Sequence, residues 1–127
     1  MKNKFITTAA TSLFVIVLIT GCATSWIDKV SQSRVASAKI GYRTVAEFNG
    51  YYSAQTNRLK GSTPDLDAAR QLVYGASKDL GLSLLTLEAV ELSYREAPTN
   101  QLPVVSALNA VTANVSNIIN TVNYIKQ

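Results

Sequence analysis

Histidine is absent from this chain of 127 residues, and Cys22 is its only cysteine. The commonest general base and metal ligand is therefore missing, and no disulfide can form within one chain. The sequence also contains neither a glycine-rich phosphate loop after a strand nor a zinc-ligand spacing. These absences predict that the protein is not an enzyme and that it binds no metal ion or dissociable cofactor.

One pair of carboxylates remains as a candidate for acid-base chemistry. Glu88 and Glu91 are three residues apart, so they share one face of a helix. Arg95 follows Glu91 at the i+4 spacing, which predicts a surface ion pair between the two side chains. We therefore expect no catalytic residue in this segment.

The N-terminal segment combines positive charge with an apolar run. Lys2 and Lys4 precede an uncharged stretch whose apolar part is too short to span a bilayer as a helix. The sequence LITGC at residues 18–22 then places Cys22 directly after Gly21. It resembles the lipobox of bacterial lipoproteins, at which signal peptidase II cleaves between these two residues. The alternative interpretation is an uncleaved N-terminal helix with an incidental cysteine.

This resemblance implies that residues 1–21 are a signal peptide and that residues 22–127 form a lipid-anchored domain. In such lipoproteins the cysteine sulfur carries a diacylglyceryl group and its amino group carries an acyl chain such as palmitate. About three acyl chains exceed the two that stable anchoring requires. Ala23, rather than aspartate, follows the cysteine. This resembles enterobacterial cargo sent to the periplasmic face of the outer membrane. The inner membrane is the alternative location in a host with other sorting rules.

Apolar periodicity predicts three helices after the anchor. The last helix has an unbroken a/d stripe, formed by Val104, Leu108, Val111, Val115, Ile118, Val122 and Ile125. The second is expected from Pro64 to Glu96, because Thr63 can cap it and proline suits its first turn. Short breaks at residues 60–64 and 97–103 favour antiparallel neighbours. The predicted fold is all-α, a small antiparallel three-helix bundle.

The first helix, from about Ser25 to Arg58, is less regular than the other two. Its expected core line consists of Val35, Ala38, Tyr42, Val45 and Tyr52. In the second helix, Gly75 and Gly81 each cost up to about 1 kcal/mol, which leaves open a bend near Gly81.

Charge differs between the first two helices. Residues 23–60 carry six basic and two acidic side chains, and residues 61–96 carry three basic and six acidic ones. We expect the two helices to attract each other in a hairpin. The basic helix could instead contact anionic headgroups, with Trp26 at the membrane interface. Nucleic acid is a poor partner for a protein outside the cytoplasm.

The third helix has no charged residue from Ala97 to Ile125, yet it is rich in asparagine, serine and threonine. So many hydrogen-bonding groups disfavour a lipid-facing, transmembrane helix. Loss of charge is also typical of protein interfaces, although ordinary solvated surface is the alternative. The candidate interface consists of Val105, Asn109, Thr112, Ser116, Asn117, Ile119, Asn120 and Asn123.

These features predict a structural, assembly or protein-binding lipoprotein of the bacterial envelope. Its expected partners are membrane lipid, through the acyl anchor, and another envelope protein or a second copy of itself. The alternative is a prophage-type or immunity lipoprotein that inhibits a toxin, a phage receptor or a cell-wall enzyme. A lipid carrier or membrane-active enzyme would need an apolar cavity, which the aromatic first helix would have to line.

Overall fold

The computed structural model describes residues 23–127, with side chains from Ser25 onward. They form three helices, α1 (Ala23–Leu59), α2 (Pro64–Glu96) and α3 (Leu102–Lys126), and none of these residues lies in a strand. Each helix packs against the other two, and the contact between α2 and α3 is the most extensive. The predicted all-α three-helix bundle is confirmed. The signal peptide, the cleavage site and Cys22 lie outside the described residues.

The start of α2 is determined by local chemistry. The Thr63 hydroxyl accepts a hydrogen bond from the backbone N–H of Leu66 at 3.2 Å, and Pro64 occupies the first turn. Asp65 and Asp67 place negative charge at the positive end of the helix dipole. The helix has the predicted bounds and continues past Gly81 without a break.

The turn between α1 and α2 is a Schellman motif. The Gly61 N–H donates to the Thr56 carbonyl at 2.9 Å, and the Lys60 N–H donates to the Asn57 carbonyl at 3.4 Å. Lys60 adopts a left-handed conformation with φ of 57°, and Gly61 follows at φ of 149°. The tight reversal that results returns α2 along α1.

The core stripe of α3 is confirmed. Six of its predicted members, from Val104 to Val122, are at most 1% exposed, and Ile125 is half-buried. From α2, the main apolar contributors are Leu66, Val73, Ala76, Leu80, Leu87 and Tyr94. Burial of branched side chains therefore compensates for the low helix propensity of the valines and isoleucines in α3.

The core line of α1 differs from the predicted one. Val35, Ala38 and Tyr42 are exposed, so the prediction is wrong at these positions, while Val45 and Tyr52 are half-buried. The line that faces the core consists of Trp26, Val30, Ser33, Ser37, Gly41, Thr44 and Phe48. Its central members are small, which lets α1 approach the other helices closely. The prediction followed the larger apolar residues and therefore selected the wrong face.

Close approach is most evident at Gly41. A β-carbon at this position would collide with the Cδ2 methyl of Leu80, which is itself buried. One and two turns of α1 before it, the hydroxyls of Ser37 and Ser33 are buried without a hydrogen-bond partner among the described residues. A buried hydroxyl without a partner costs about 1–3 kcal/mol. The small residues of α1 therefore lower the free energy of unfolding while they let α1 lie close to its neighbours.

Among the described helices, α3 alone has the length and apolar composition of a membrane span. The core helix of a helical bundle meets the same criteria, and α3 packs against both α1 and α2. Most of its branched apolar side chains lie in this core, whereas Leu102, Tyr124 and three asparagines lie outside it, namely Asn109, Asn117 and Asn120. The distribution of its side chains is therefore that of a bundle helix.

Candidate interaction surface

The predicted interface of α3 divides into three environments. Asn109, Asn117 and Asn120 are exposed on the outer side of the helix. Four further members lie half-buried at the edge of the bundle, namely Val105, Thr112, Ser116 and Asn123. The remaining member, Ile119, is 2% exposed and belongs to the main core cluster.

Ile119 is therefore a correction to the predicted surface. A strict a/d stripe would leave this position at the margin, but Ala107 and Ile119 are buried together with the stripe itself. The core face of α3 is wider than two positions per heptad because this helix packs against two neighbours rather than one. The surface that remains for a partner is correspondingly more polar.

The polar groups of α3 fall into two classes. The hydroxyl of Thr112 donates to the Leu108 carbonyl at 3.0 Å, and the Asn114 amide donates to the Asp79 carbonyl of α2 at 3.3 Å. The side chains of Asn109, Asn117 and Asn120, by contrast, form no hydrogen bond within residues 23–127. Their amides are available as donors and acceptors to a partner or to water.

The buried carboxylate of α2 belongs to an interhelix network. Glu91 is 3% exposed and accepts hydrogen bonds from the Arg34 Nε at 2.7 Å and from the Ser31 hydroxyl. Arg95 contacts Asp28 at 2.9 Å and donates to the Ser31 hydroxyl at 3.0 Å. The predicted ion pair between Glu91 and Arg95 is therefore wrong. Both carboxylate oxygens of Glu91 accept a hydrogen bond from α1, so this carboxylate joins the two helices.

The predicted attraction between a basic α1 and an acidic α2 accounts for only some of the ion pairs between the helices. Arg34 of α1 pairs with Glu91 as expected, and its Nη1 lies 3.9 Å from the more exposed Glu88. The Asp28–Arg95 pair has the opposite polarity, with the acid on α1. A further ion pair joins Glu47 of α1 to Lys126 at the end of α3. Individual partners therefore matter more than the net charge of a segment. In residues 23–127, no cluster of three metal-ligating groups is present.

The first aromatic residue of α1 is inside the bundle. Trp26 is 4% exposed and meets Tyr94 of α2 edge to face, with ring centroids 5.4 Å apart. The alternative in which its indole lies among lipid headgroups is therefore wrong. Trp26 instead closes the end of the core beside the α2–α3 connection.

The opposite end of the bundle carries an exposed cluster of tyrosines and charge. The guanidinium of Arg70 lies 5.5 Å from the ring centroid of Tyr52 and 5.3 Å from that of Tyr74. Hydrogen bonding to Tyr74, then to Tyr52, raises the pKa of Arg70. A shallow open groove nearby is lined in part by Tyr51, Leu72 and Tyr124. Phe48 lies in the core, and Tyr51 is the aromatic residue that α1 contributes to the lining of this groove.

One apolar surface was missed by the reasoning from sequence. Leu82, Leu85 and Leu92 project from the outer face of α2 and are each more than half exposed. The signal was present as a second set of three- and four-residue steps, opposite the set that lines the core. The prediction assigned only the longer apolar set of α2, which lines the core, and left the outer set unassigned.

The comparisons with known proteins add no further constraint to this geometry. No protein-family model, no curated protein and no solved structure matches the chain. The arrangement of its own residues is therefore the basis for a functional assignment.

Proposed function

We propose that the protein is a lipid-anchored binding module of the bacterial cell envelope. Cys22 carries the lipid, and the helical bundle presents the outer face of α3 to another envelope protein or to a second copy. Its periplasmic location at the outer membrane follows from the proposed processing between Gly21 and Cys22 and from Ala23. The protein performs no catalysis in this proposal.

The observation that best supports the binding role is the neutral outer face of α3. No charged residue occurs between Ala97 and Ile125, and the amides of three exposed asparagines on this face form no hydrogen bond within residues 23–127. Depletion of charge distinguishes interface cores from ordinary surface, and amides can pair across a helix contact. The half-buried Val105 adds a small apolar margin to the same face.

Site-specific photo-crosslinking in cells tests this role. A photoreactive amino acid in place of Asn117 should crosslink the protein to one envelope protein or to a second copy. The same probe in place of Arg43, an exposed residue on the charged surface of α1, is the matched control and should give a weaker product. Equal products from both positions, or none from Asn117, would contradict a binding role for α3.

Membrane fractionation tests the location separately. In an enterobacterial host, the unaltered chain should fractionate with the outer membrane, and Ala23→Asp should move it to the inner membrane. Ala23→Ser is the matched control and should leave the location unchanged. If Ala23→Asp remains with the outer membrane, the proposed sorting is wrong even where the α3 crosslink is obtained.

A further inference from the structure

The outer face of α2 carries a line of apolar side chains that residues 23–127 leave uncovered. Leu82, Leu85 and Leu92 are 55%, 63% and 58% exposed, and the exposed Ala89 lies between the last two. At 3.6 residues per turn, these four positions lie within about 80° of one another. They are on the side of α2 opposite its buried residues. Single exposed leucines are ordinary, whereas a line of them is an unpartnered helix face.

The line has a charged residue at each of its two ends, and the steps between its members are the same when read from either end. Its members are Lys78, Leu82, Leu85, Ala89, Leu92 and Glu96, separated by steps of four, three, four, three and four. Such steps form the seam of a two-helix coiled coil. Because their order is the same in both directions, a second, antiparallel α2 aligns every member with another member. Leu82 then meets Leu92, and Leu85 meets Ala89.

The terminal charges distinguish between the two orientations. Lys78 and Glu96 are exposed, and neither forms an ion pair within the described residues. An antiparallel pair places each Lys78 opposite the Glu96 of the other copy, whereas a parallel pair aligns like charges at both ends. A membrane surface fits less well, because residues 61–96 carry twice as many acidic as basic side chains.

We propose that α2 binds α2 of a second copy of this chain in an antiparallel contact, with the two-fold axis at the level of Leu87. The seam runs from Lys78 to Glu96, about 27 Å at 1.5 Å per residue. A contact of this length is at the small end of specific interfaces, so the dimer is weak in dilute solution and depends on concentration. It leaves the outer face of α3 uncovered and does not rest on the proposed function.

The contact also restricts how two anchored copies meet a membrane. Because Trp26 packs on Tyr94, the start of α1 lies beside the end of α2. The two α1 N-termini therefore leave an antiparallel pair in opposite directions. With lipid on both Cys22 residues, which is the proposed anchor, both chains reach one membrane when the helix axes lie along its plane.

Photo-crosslinking of the full chain in cells tests the contact, with the probe in place of Ala89. The expected product has twice the mass of the protein, because Ala89 lies opposite Leu85 of the second copy. Lys78→Glu alone, or Glu96→Lys alone, places like charges together at both ends of the seam and should lower the dimer yield about fivefold. The double variant K78E/E96K restores two complementary pairs and should restore the yield.

A matched control separates this rescue from a change in net charge. The variant K78E/D79K has the same net charge as K78E/E96K, but residue 79 lies off the seam, so the dimer yield should stay low. If neither Lys78→Glu nor Glu96→Lys changes the dimer yield, the antiparallel register is overturned. A lipid adduct, a crosslink to a different protein alone, or no product would overturn the contact itself. The Asn117 crosslink is read independently, so failure of one surface does not imply failure of the other.

Discussion

α1 and α3 both pack against α2, but they do so by different chemistry. The core line of α3 consists of valine, leucine and isoleucine, whereas the middle of the α1 line consists of serine, glycine and threonine. At its start, α1 contacts α2 through Trp26, which packs on Tyr94, and through Arg34 and Ser31, which donate hydrogen bonds to the buried Glu91 of α2. The comparison shows that apolar area can hold one helix along its whole length, while its neighbour adds proximity and polar contacts to the apolar side chains near its two ends.

This difference also determines which surfaces remain for partners. Two charged residues at the start of α1 form ion pairs with α2. Arg34 pairs with Glu91, and Asp28 pairs with Arg95. α3 directs most of its branched apolar side chains inward, and it exposes uncharged amides together with Leu102 and Tyr124. The outer face of α3 is thus the better candidate for binding a second protein.

The largest expected effect comes from the apolar side of the comparison. Leu108→Ala should lower the free energy of unfolding by about 3 kcal/mol, because Leu108 is fully buried and its truncation leaves a cavity. Asn109→Ala is the matched control on the exposed face and should change it by less than about 0.5 kcal/mol. Urea unfolding followed by circular dichroism measures both. Similar values for the two variants would contradict the described packing of α3.

The polar attachment of α1 should give a smaller but clear loss. Glu91→Ala leaves Arg34 and Ser31 without their partner and should cost about 2 kcal/mol of unfolding free energy. Glu88→Ala is the control, because its side chain is 52% exposed and lies 3.9 Å from Arg34. It should cost less than about 0.5 kcal/mol. Thermal and urea unfolding would reveal the difference, and equal losses would show that the buried network is not what holds α1.

Two glycines of α1 should respond with opposite signs to the same substitution. Gly41→Ala inserts a methyl group against Leu80 and should destabilise the bundle by about 1 kcal/mol. Gly50→Ala meets no atom within 4 Å and should stabilise it by up to about 1 kcal/mol through higher helix propensity. Stabilisation by both variants, measured by urea unfolding, would show that α1 does not approach α2 closely at Gly41.

Removal of a buried hydroxyl from α1 should give a gain of similar size. Ser37→Ala removes a buried hydroxyl that has no hydrogen-bond partner among the described residues and should raise the unfolding free energy by about 1 kcal/mol. Ser53→Ala, at an exposed position of the same helix, measures the part that is due to helix propensity alone. A loss on Ser37→Ala in the same unfolding assay would indicate that the hydroxyl has a partner after all.

The sequence predicted those parts of the fold in which apolar side chains repeat at helical spacing. The core of α3 and the bounds of α2 follow from such repeats and from the capping chemistry of Thr63 and Pro64. The core line of α1 could not be found in this way, because serine and glycine at core positions resemble surface residues. Tyr42, one of the large residues preferred instead, is 79% exposed.

The candidate surface was predicted with similar limits. The exposed asparagines of α3 lie where heptad spacing places them, but Ile119 is in the core because α3 packs against two helices. The partners of Glu91 were also missed, since Arg34 is distant in sequence and only tertiary packing brings it close. The spacing of residues along one helix predicts which of them share a face, whereas the contacts between helices can be identified only from the folded structure.

The lipid anchor is the claim on which location and function both depend, and the N-terminal peptide tests it most directly. Protein extracted from bacterial membranes and digested with protease should give an N-terminal peptide that begins at Cys22. Its mass should include a diacylglyceryl group and one further acyl chain. An N-terminal peptide that still contains Lys2, or one that begins at Cys22 without lipid, would contradict the proposed anchor.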